Sequence, residues 1–373
     1  MQTIAANASI APRERQPMRN VTAEERREAL KAFVDVDGHD LELVDRSSAE
    51  NCAACPFMAK AIQDKRCATV GILAEAGEEV HKAYGEVIHS WIDSHGAMSP
   101  SDLRQDAEFA VRNARPDLQP EAIRAMQNSL WAWSQMIHKI HPGNILGFDG
   151  GEDVNRSGQL AIDFPDLGVR YTSELDLLYQ GDCPDVGEEV DFKTGWKDWT
   201  TEAIRDSFQF QSHAVLALEK YPQWQALRIR VFETRSRKLT YGVYFPRERM
   251  FDWKVRIRSA LEARRWLATD NPPCWPVLEK CGLCPAASIC PVADEPIADL
   301  AKDPPAFIAK LIAVEARAEA MRKLAAAHVD AAKQDIQAPD GTWFGRRKPA
   351  SSRKANATLY NLKEPANGSD SNT

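Results

Sequence analysis

The chain has 373 residues, of which 44% are hydrophobic and 27% charged, and a formal net charge of −7. That balance suits one large or two ordinary globular domains. It excludes a membrane-spanning protein, because no apolar run approaches the roughly 20 residues a span needs. The N-terminal residues lack the apolar stretch of a signal peptide, which points to the cytoplasm. In that reducing compartment the eight cysteines need a role other than disulfides. An acidic chain can still carry a local basic face, and Arg228 to Arg265 holds twelve Lys/Arg against four Asp/Glu.

In chain order, residues 1–45 read as a polar extension with a short helical stretch at Ala23–Val34. Helical spacing dominates from Phe57 to His141, most clearly over Leu73–Ile92 and Glu121–Ile140, and Ser99-Pro100-Ser101-Asp102 is a good helix start. After Pro142-Gly143 the pattern turns to strands, at Gln159–Phe164, Val169–Tyr179 and Glu189–Lys193. Thr201–Lys220 is helical. Leu227–Thr234 and Leu239–Phe245 form a hairpin, and Arg247–Ala268 is a basic amphipathic helix. A Cys/Pro-rich segment, Cys274 to Pro291, leads into an Ala-rich helix at Pro305–Gln337, which packs on its own domain or serves an oligomer contact. Residues 341–348 suggest a short hairpin strand carrying Arg346, Arg347 and Lys348, and the tail from Ala350 reads as polar and unstructured. This order predicts an α/β protein: a central mixed sheet flanked by helices, with a helical insertion before it (about 96–142) and a C-terminal helix. The expected domains are an extension (1–45), a core (46–295), a helix (296–340) and a tail (341–373). No phosphate-binding GxxxxGK[ST] loop is present, so the chain does not drive a nucleotide motor by itself.

The chemistry concentrates at Glu174-Leu175-Asp176 and Glu189-Val190-Asp191-Phe192-Lys193-Thr194-Gly195. Asp191 and Lys193 alternate onto one strand face. If the preceding strand pairs antiparallel across the Gly181–Gly187 turn region, Asp176 comes beside Asp191. Two carboxylates can hold Mg²⁺ or Mn²⁺ through oxygen ligands. The metal then activates water against a phosphodiester, with the lysine positioning that water. Glu188 and Glu189 read as ordinary solvated charges. Glu152 or Asp153 could add a further carboxylate.

This stretch resembles the PD-(D/E)XK nuclease superfamily, in its RecB-like exonuclease branch, where an Asp precedes a D-[FY]-K-T-G strand end. Residues 191–195 fit all five positions, although Ser173 stands where the family often has glycine. The family's Gln-x-x-x-Tyr helix matches Gln209 and Ala214, with His213 replacing the tyrosine. Its Gly-x-x-x-His helix matches Gly77 and His81. Gly85 and His89 repeat that spacing, but Val80 favours His81; His95 has no such support. The resemblance implies a restriction-endonuclease-like fold. It implies a metal held by His81, Asp176, Asp191 and the Phe192 backbone carbonyl, with Lys193 and Gln209 as further catalytic residues.

Cys281-x2-Cys284-x5-Cys290 is a dense thiolate set that suits a metal. Relatives of this kind hold a [4Fe-4S] cluster with such a set and one earlier cysteine in a Cys-Pro segment, here Cys55 after Ser47-Ser48. The resemblance therefore implies Fe–S ligands Cys55, Cys281, Cys284 and Cys290, stapling the two ends of the core. Cys52, Cys55, Cys281 and Cys284 form a rival zinc set. Cys67, Cys183 and Cys274 are expected to be free thiols, buried or incidental; Cys274 could replace a ligand, but its six-residue gap to Cys281 has no counterpart in the family pattern.

The function so implied is metal-dependent cleavage of DNA, by preference from ends, in recombination, repair, phage replication or CRISPR adaptation, with a protein partner from such a pathway. Candidate DNA contacts are His213, Arg228, Arg230, Arg235, Arg237, Arg247, Lys254 and Arg258. The alternative is a non-cleaving DNA-binding or recruitment module with a structural Fe–S or zinc site.

Overall fold

The computed structural model describes residues 41–67, 72–114, 120–151, 157–195, 198–275, 281, 284–296, 302–332, 336–337, 343–347 and 356–360. The expected helix at Ala23–Val34 and the candidate carboxylates Glu152 and Asp153 lie outside them. The chain divides into two compact units, residues 1–46 with 72–254, and residues 47–71 with 255–373. Residues 47–71 thus group with the C-terminal part of the chain rather than with the sheet that carries the Asp-x-Lys strand. Among the described residues no helix is long and apolar enough to cross a membrane.

The first unit is built on a six-stranded mixed sheet. Its strands are β2 (Ile145–Phe148), β5 (Leu177–Gln180), β6 (Val186–Lys193), β7 (Ala226–Glu233), β8 (Lys238–Leu239) and β9 (Val243–Pro246). The order is β2-β5-β6-β7-β8, with β9 also pairing β7. β5 and β6 pair antiparallel with Leu177 opposite Val190, so the residue before β5, Asp176, comes level with Asp191. β6 and β7 pair in parallel, Asp191 beside Val231. A smaller sheet carries β1 (Glu42–Asp45), β3 (Gln159–Phe164) and β4 (Val169–Glu174) in the order β1-β4-β3.

The single strand expected at Val169–Tyr179 is therefore two, serving different sheets. The break falls at Leu175-Asp176, where Leu175 N–H donates to the Gly158 carbonyl at 2.9 Å. A Cβ on Gly158 would stand 2.2 Å from the Leu175 carbonyl oxygen, so only glycine admits this crossing. Strand β2 and the short β1 were not foreseen.

One face of the large sheet is covered by α3 (Ile72–Asp93), α4 (Pro100–Ala114) and α5 (Pro120–Ile137). Val80, Ala83, Tyr84, Val87, Ile88 and Trp91 form the buried stripe of α3, at the spacing one helix face requires. They pack with Trp133 of α5 and with Phe192 and Phe232 of the sheet. The Phe192 ring lies 4.7 Å from Tyr84 and 4.6 Å from Trp133, edge-on to both. Trp133 Nε1 donates to the Tyr84 carbonyl at 3.2 Å, and Tyr84 Oη to Thr234 Oγ1 at 3.1 Å, so both polar tips are satisfied in the core.

Because side chains alternate along a strand, Phe192 pointing into this core turns Glu189, Asp191 and Lys193 to the other face. There α7 (Phe208–Lys220), which follows the short α6 (Thr201–Asp206), lies across the strands. Its Ser212 hydroxyl accepts from Tyr171 Oη at 2.9 Å.

The second unit contains most of α1 (Arg46–Ala54), then α2 (Pro56–Gln63), the end of α8 (Met250–Ala263), α9 (Pro304–Ala332), and a small antiparallel sheet. That sheet consists of β10 (Ile336–Gln337), β11 (Trp343–Arg347) and β12 (Asn356–Tyr360). The C-terminal helix thus ends before Gln337. The tail is not wholly unstructured, since Asn356–Tyr360 pairs with β11. Ala313 and Val329 of α9 are buried. Lys310 Nζ donates to the Ala293 carbonyl and Arg317 Nη2 to the Cys290 carbonyl, each at 2.6 Å. The helix is therefore fastened to the cysteine-bearing segment of its own unit.

Candidate active site and cysteine pocket

The site of the first unit gathers at the end of β6. Asp191 Oδ2 lies 2.6 Å from Lys193 Nζ. Gln209, on the first turn of α7, closes a ring: its Nε2 donates to Asp191 Oδ1 at 2.6 Å and its Oε1 accepts from Lys193 Nζ at 3.1 Å. The amide therefore holds both ends of the Asp-x-Lys pair. The rings of Trp199 and Phe210 each lie 5.6 Å from the lysine ammonium and restrict it further.

Asp176 reaches the same place from the preceding strand, accepting the Phe192 N–H on Oδ2 at 2.5 Å. His81 Nδ1 is 3.6 Å from its other oxygen, and the His81 ring packs edge-on to Phe192 at 5.7 Å. The helix can come this close because of Gly77, one turn earlier. A Cβ there would stand 2.7 Å from Thr194 Oγ1. His89, by contrast, faces Asp93 at 3.1 Å on its own helix.

One residue was not foreseen. Asp149, which follows β2, joins His81 and Asp176, with ligand atoms of all three within 4.8 Å of one another. Its backbone N–H donates to the Asp176 carbonyl at 3.2 Å. The sequence signal was an aspartate closing the apolar run Ile145–Phe148, hidden because that run was not recognised as a strand.

The electrostatics of this cluster show a surplus of negative charge. Burial pushes the His81 imidazole down, but Asp176 and then Asp191 outweigh it, so its pKa is raised. Burial pushes Asp176 up, yet His81, Lys193 and the Phe192 N–H hold it below its ordinary value. Asp191 is raised, chiefly by burial and against the pull of Lys193. Two carboxylates and an imidazole are a donor set that suits a divalent ion. The residues present fit such a metal.

Beneath this ring lies a second buried pair. Glu188 and Glu189, expected to be solvated, are 4% and 0% exposed. Glu189 Oε1 is 2.5 Å from Nδ1 of His213, one turn beyond Gln209 on α7. Burial raises Glu189 well above its ordinary value and pushes His213 down to about 3. His213 is 1% exposed, so it supports the site from below rather than meeting a ligand from solvent.

Several candidate DNA contacts are otherwise engaged. Arg228 and Arg230 lie on the Phe192 side of the sheet, paired with Glu188. Arg247 donates to the carbonyls of Leu218, Tyr221 and Trp224, bracing the end of α7, and Lys254 pairs with Glu219. Arg258 is half-buried on α8 in the second unit. Arg235 stands nearer the Asp-x-Lys strand, its Nε donating to the Thr194 carbonyl at 3.0 Å.

The second unit holds a small hollow, partly open to solvent, lined by Cys55, Cys274, Cys281, Cys284 and Cys290 with Met58 and Trp275 among their neighbours. Cys55, Cys274, Cys284 and Cys290 are thiols rather than disulfides. Cys52 is buried in α1 and is not among the lining residues. Cys274, expected to be a bystander, lines the hollow. Its Sγ is 3.8 Å from Cys55 and 3.4 Å from Cys290. Those contacts hold the Cys55 and Cys290 thiols down at about 6 and push Cys274 up, while burial lifts Cys284 to about 12. Five cysteines thus line one hollow, and thiolates are ligands for soft metals.

The chain belongs to the PD-(D/E)XK nuclease superfamily: the family's sequence profile matches residues 46–291, well over half of its length. The mixed sheet flanked by helices is the restriction-endonuclease-like fold that this membership entails. Nucleases of this class use divalent metals, and the acidic groups for one are present. No curated protein matches the chain. Among solved structures, it is similar to a protein of Eubacterium rectale provisionally described as an exonuclease. The two share 8% identity over 70% of this chain and 91% of the other, with a TM-score of 0.39.

Proposed function

We propose that the protein is a Mg²⁺- or Mn²⁺-dependent deoxyribonuclease that degrades DNA from ends, with a thiolate-held metal centre in its second unit. The observation that carries this reading is the closed Asp191–Lys193–Gln209 ring beside Asp176. His81, Asp149, Asp176 and Asp191, with the Phe192 carbonyl, would hold the ion. When bound, the metal supplies Lewis-acid stabilisation of the phosphodiester and a more acidic water. Lys193, fixed by Gln209 and two aromatic rings, positions that water and offsets negative charge on the phosphate. Gln209 keeps Asp191 and Lys193 in register. Arg235 is the basic side chain best situated to meet the substrate backbone.

The preference for ends rests on the RecB-like motif order. It also leads to the recombination, repair, phage-replication or CRISPR-adaptation setting and to a protein partner there. In the second unit, Cys281, Cys284 and Cys290 with Cys55 match the [4Fe-4S] pattern, with zinc the colourless alternative.

The test compares linear with covalently closed circular DNA in Mg²⁺, Mn²⁺ or EDTA. Metal-dependent loss of the linear form alone supports end-dependent action. Loss of both forms makes the protein an endonuclease at the same site. Binding without cleavage favours the recruitment module.

A further inference from the structure

The hollow of the second unit contains one thiol more than a four-thiolate centre needs. The extra one, Cys274, lies outside the Cys55, Cys281, Cys284, Cys290 spacing. Its position is nevertheless set by backbone. The Pro273 carbonyl accepts the Phe57 N–H at 3.1 Å, and the Trp275 N–H donates to Cys55 Sγ at 3.5 Å. Residues 273–275 are thereby pinned along the start of α2, with the cysteine between the two bonded positions. The Cys274 sulfur reaches its two neighbours from there, 3.8 Å from Cys55 and 3.4 Å from Cys290.

These distances have a definite meaning for metal binding. With a metal–sulfur bond of about 2.3 Å, two thiolates on one tetrahedral ion stand about 3.8 Å apart. Cys274 therefore addresses the same metal atom as Cys55, or the same one as Cys290. A cluster or a zinc ion takes four protein thiolates, so five candidates leave one spare. The spare need not be a fixed residue when one thiol borders two others. We propose that Cys274 is a ligand-competent member of this metal centre, interchangeable with Cys55 and with Cys290. The proposal rests on the reading that the second unit holds a thiolate-bound metal.

The test uses full-length protein purified anaerobically, with iron, acid-labile sulfide and zinc counted per chain and the absorption band near roughly 400 nm recorded. Wild type with none of these metals overturns the metal-centre reading. Wild type with zinc only overturns the cluster but leaves the thiol comparison intact. Cys55→Ser, Cys290→Ser and Cys274→Ser should each retain at least about half of the metal. The double variants Cys55→Ser/Cys274→Ser and Cys274→Ser/Cys290→Ser should fall below about a tenth. Loss from Cys55→Ser and Cys290→Ser as complete as from the double variants would overturn interchangeability.

A measurement on wild-type holoprotein guards against variants that fail to fold. After brief alkylation with iodoacetamide and digestion, the label should be divided among Cys55, Cys274 and Cys290. Label confined to Cys274, with Cys55 and Cys290 protected, would make Cys274 a bystander and overturn the proposal.

Discussion

The Glu189–His213 pair makes stability depend on pH in a form that can be worked out. Glu189 is held well above its ordinary value of 4.5 by burial, and His213 is pushed from 6.5 to about 3 by burial. Over a wide range the folded pair keeps one proton: the Glu189 carboxyl donates it to Nδ1 of a neutral imidazole. The unfolded chain holds two protons on these groups below 4.5, one between 4.5 and 6.5, and none above 6.5.

Between 4.5 and 6.5 folding takes up no net proton, and this pair contributes a flat plateau. Above 6.5, for as long as the raised carboxyl keeps its proton, the folded state is richer by one proton. The pair's contribution then falls as pH rises, by about 1.4 kcal/mol per unit, until the folded carboxyl itself ionises. Below 4.5 the depressed imidazole makes the folded state poorer by one proton, and the contribution falls at the same slope toward pH 3. Replacing both partners, Glu189→Leu/His213→Phe, removes both slopes. Each single change should cost about 1–3 kcal/mol at pH 6 by leaving a buried polar group unpaired, and the double change less than their sum. The assay is urea unfolding of metal-free protein in EDTA from pH 4 to 9. The difference between wild type and the double variant cancels the rest of the chain. A difference that stays constant across that range would refute the reasoning.

Three further outcomes follow from the site. Mn²⁺ binding should release protons, because the ion must displace the proton that neighbouring carboxylates favour on His81; affinity should rise with pH until His81 is neutral. Calorimetry in buffers of unequal ionisation enthalpy reads this directly, and a buffer-independent heat would contradict it. Asp149→Asn should weaken Mn²⁺ binding on the order of tenfold while leaving the unfolding midpoint nearly unchanged; unchanged affinity would remove Asp149 from the ligand set. Gly77→Ala places a methyl 2.7 Å from Thr194 Oγ1 and should cost about 1–3 kcal/mol of stability. Thr194→Ala in the same chain should restore it, and no recovery would locate the strain elsewhere.

How much of this was legible in the sequence depended on distance along the chain. Asp191-x-Lys193 and its antiparallel partner strand were readable because one short turn region joins them, so strand alternation alone sets the geometry. Gln209 was readable as part of a local motif. Glu189 was not: beside two ordinary charges it looks solvated, and only the packing of α7 buries it against His213. Arg228 and Arg230 read as a basic patch for the same reason in reverse, since their partner Glu188 sits on the neighbouring strand. The break at Leu175-Asp176 was hidden in a continuous alternating pattern, because alternation does not reveal which sheet a strand joins. Cys274 fell outside the spacing that drew attention to the later cysteines. Backbone hydrogen bonds to a segment more than two hundred residues earlier bring it in.

The most direct test of the central claim is single-turnover cleavage of end-labelled linear DNA in Mg²⁺ by wild type and Lys193→Ala, with DNA binding measured in parallel. If Lys193 positions the attacking water, the rate falls by about 10²–10⁴-fold, while DNA affinity changes little. A variant that cleaves at the wild-type rate would show that the Asp191–Lys193–Gln209 ring is not the catalytic centre.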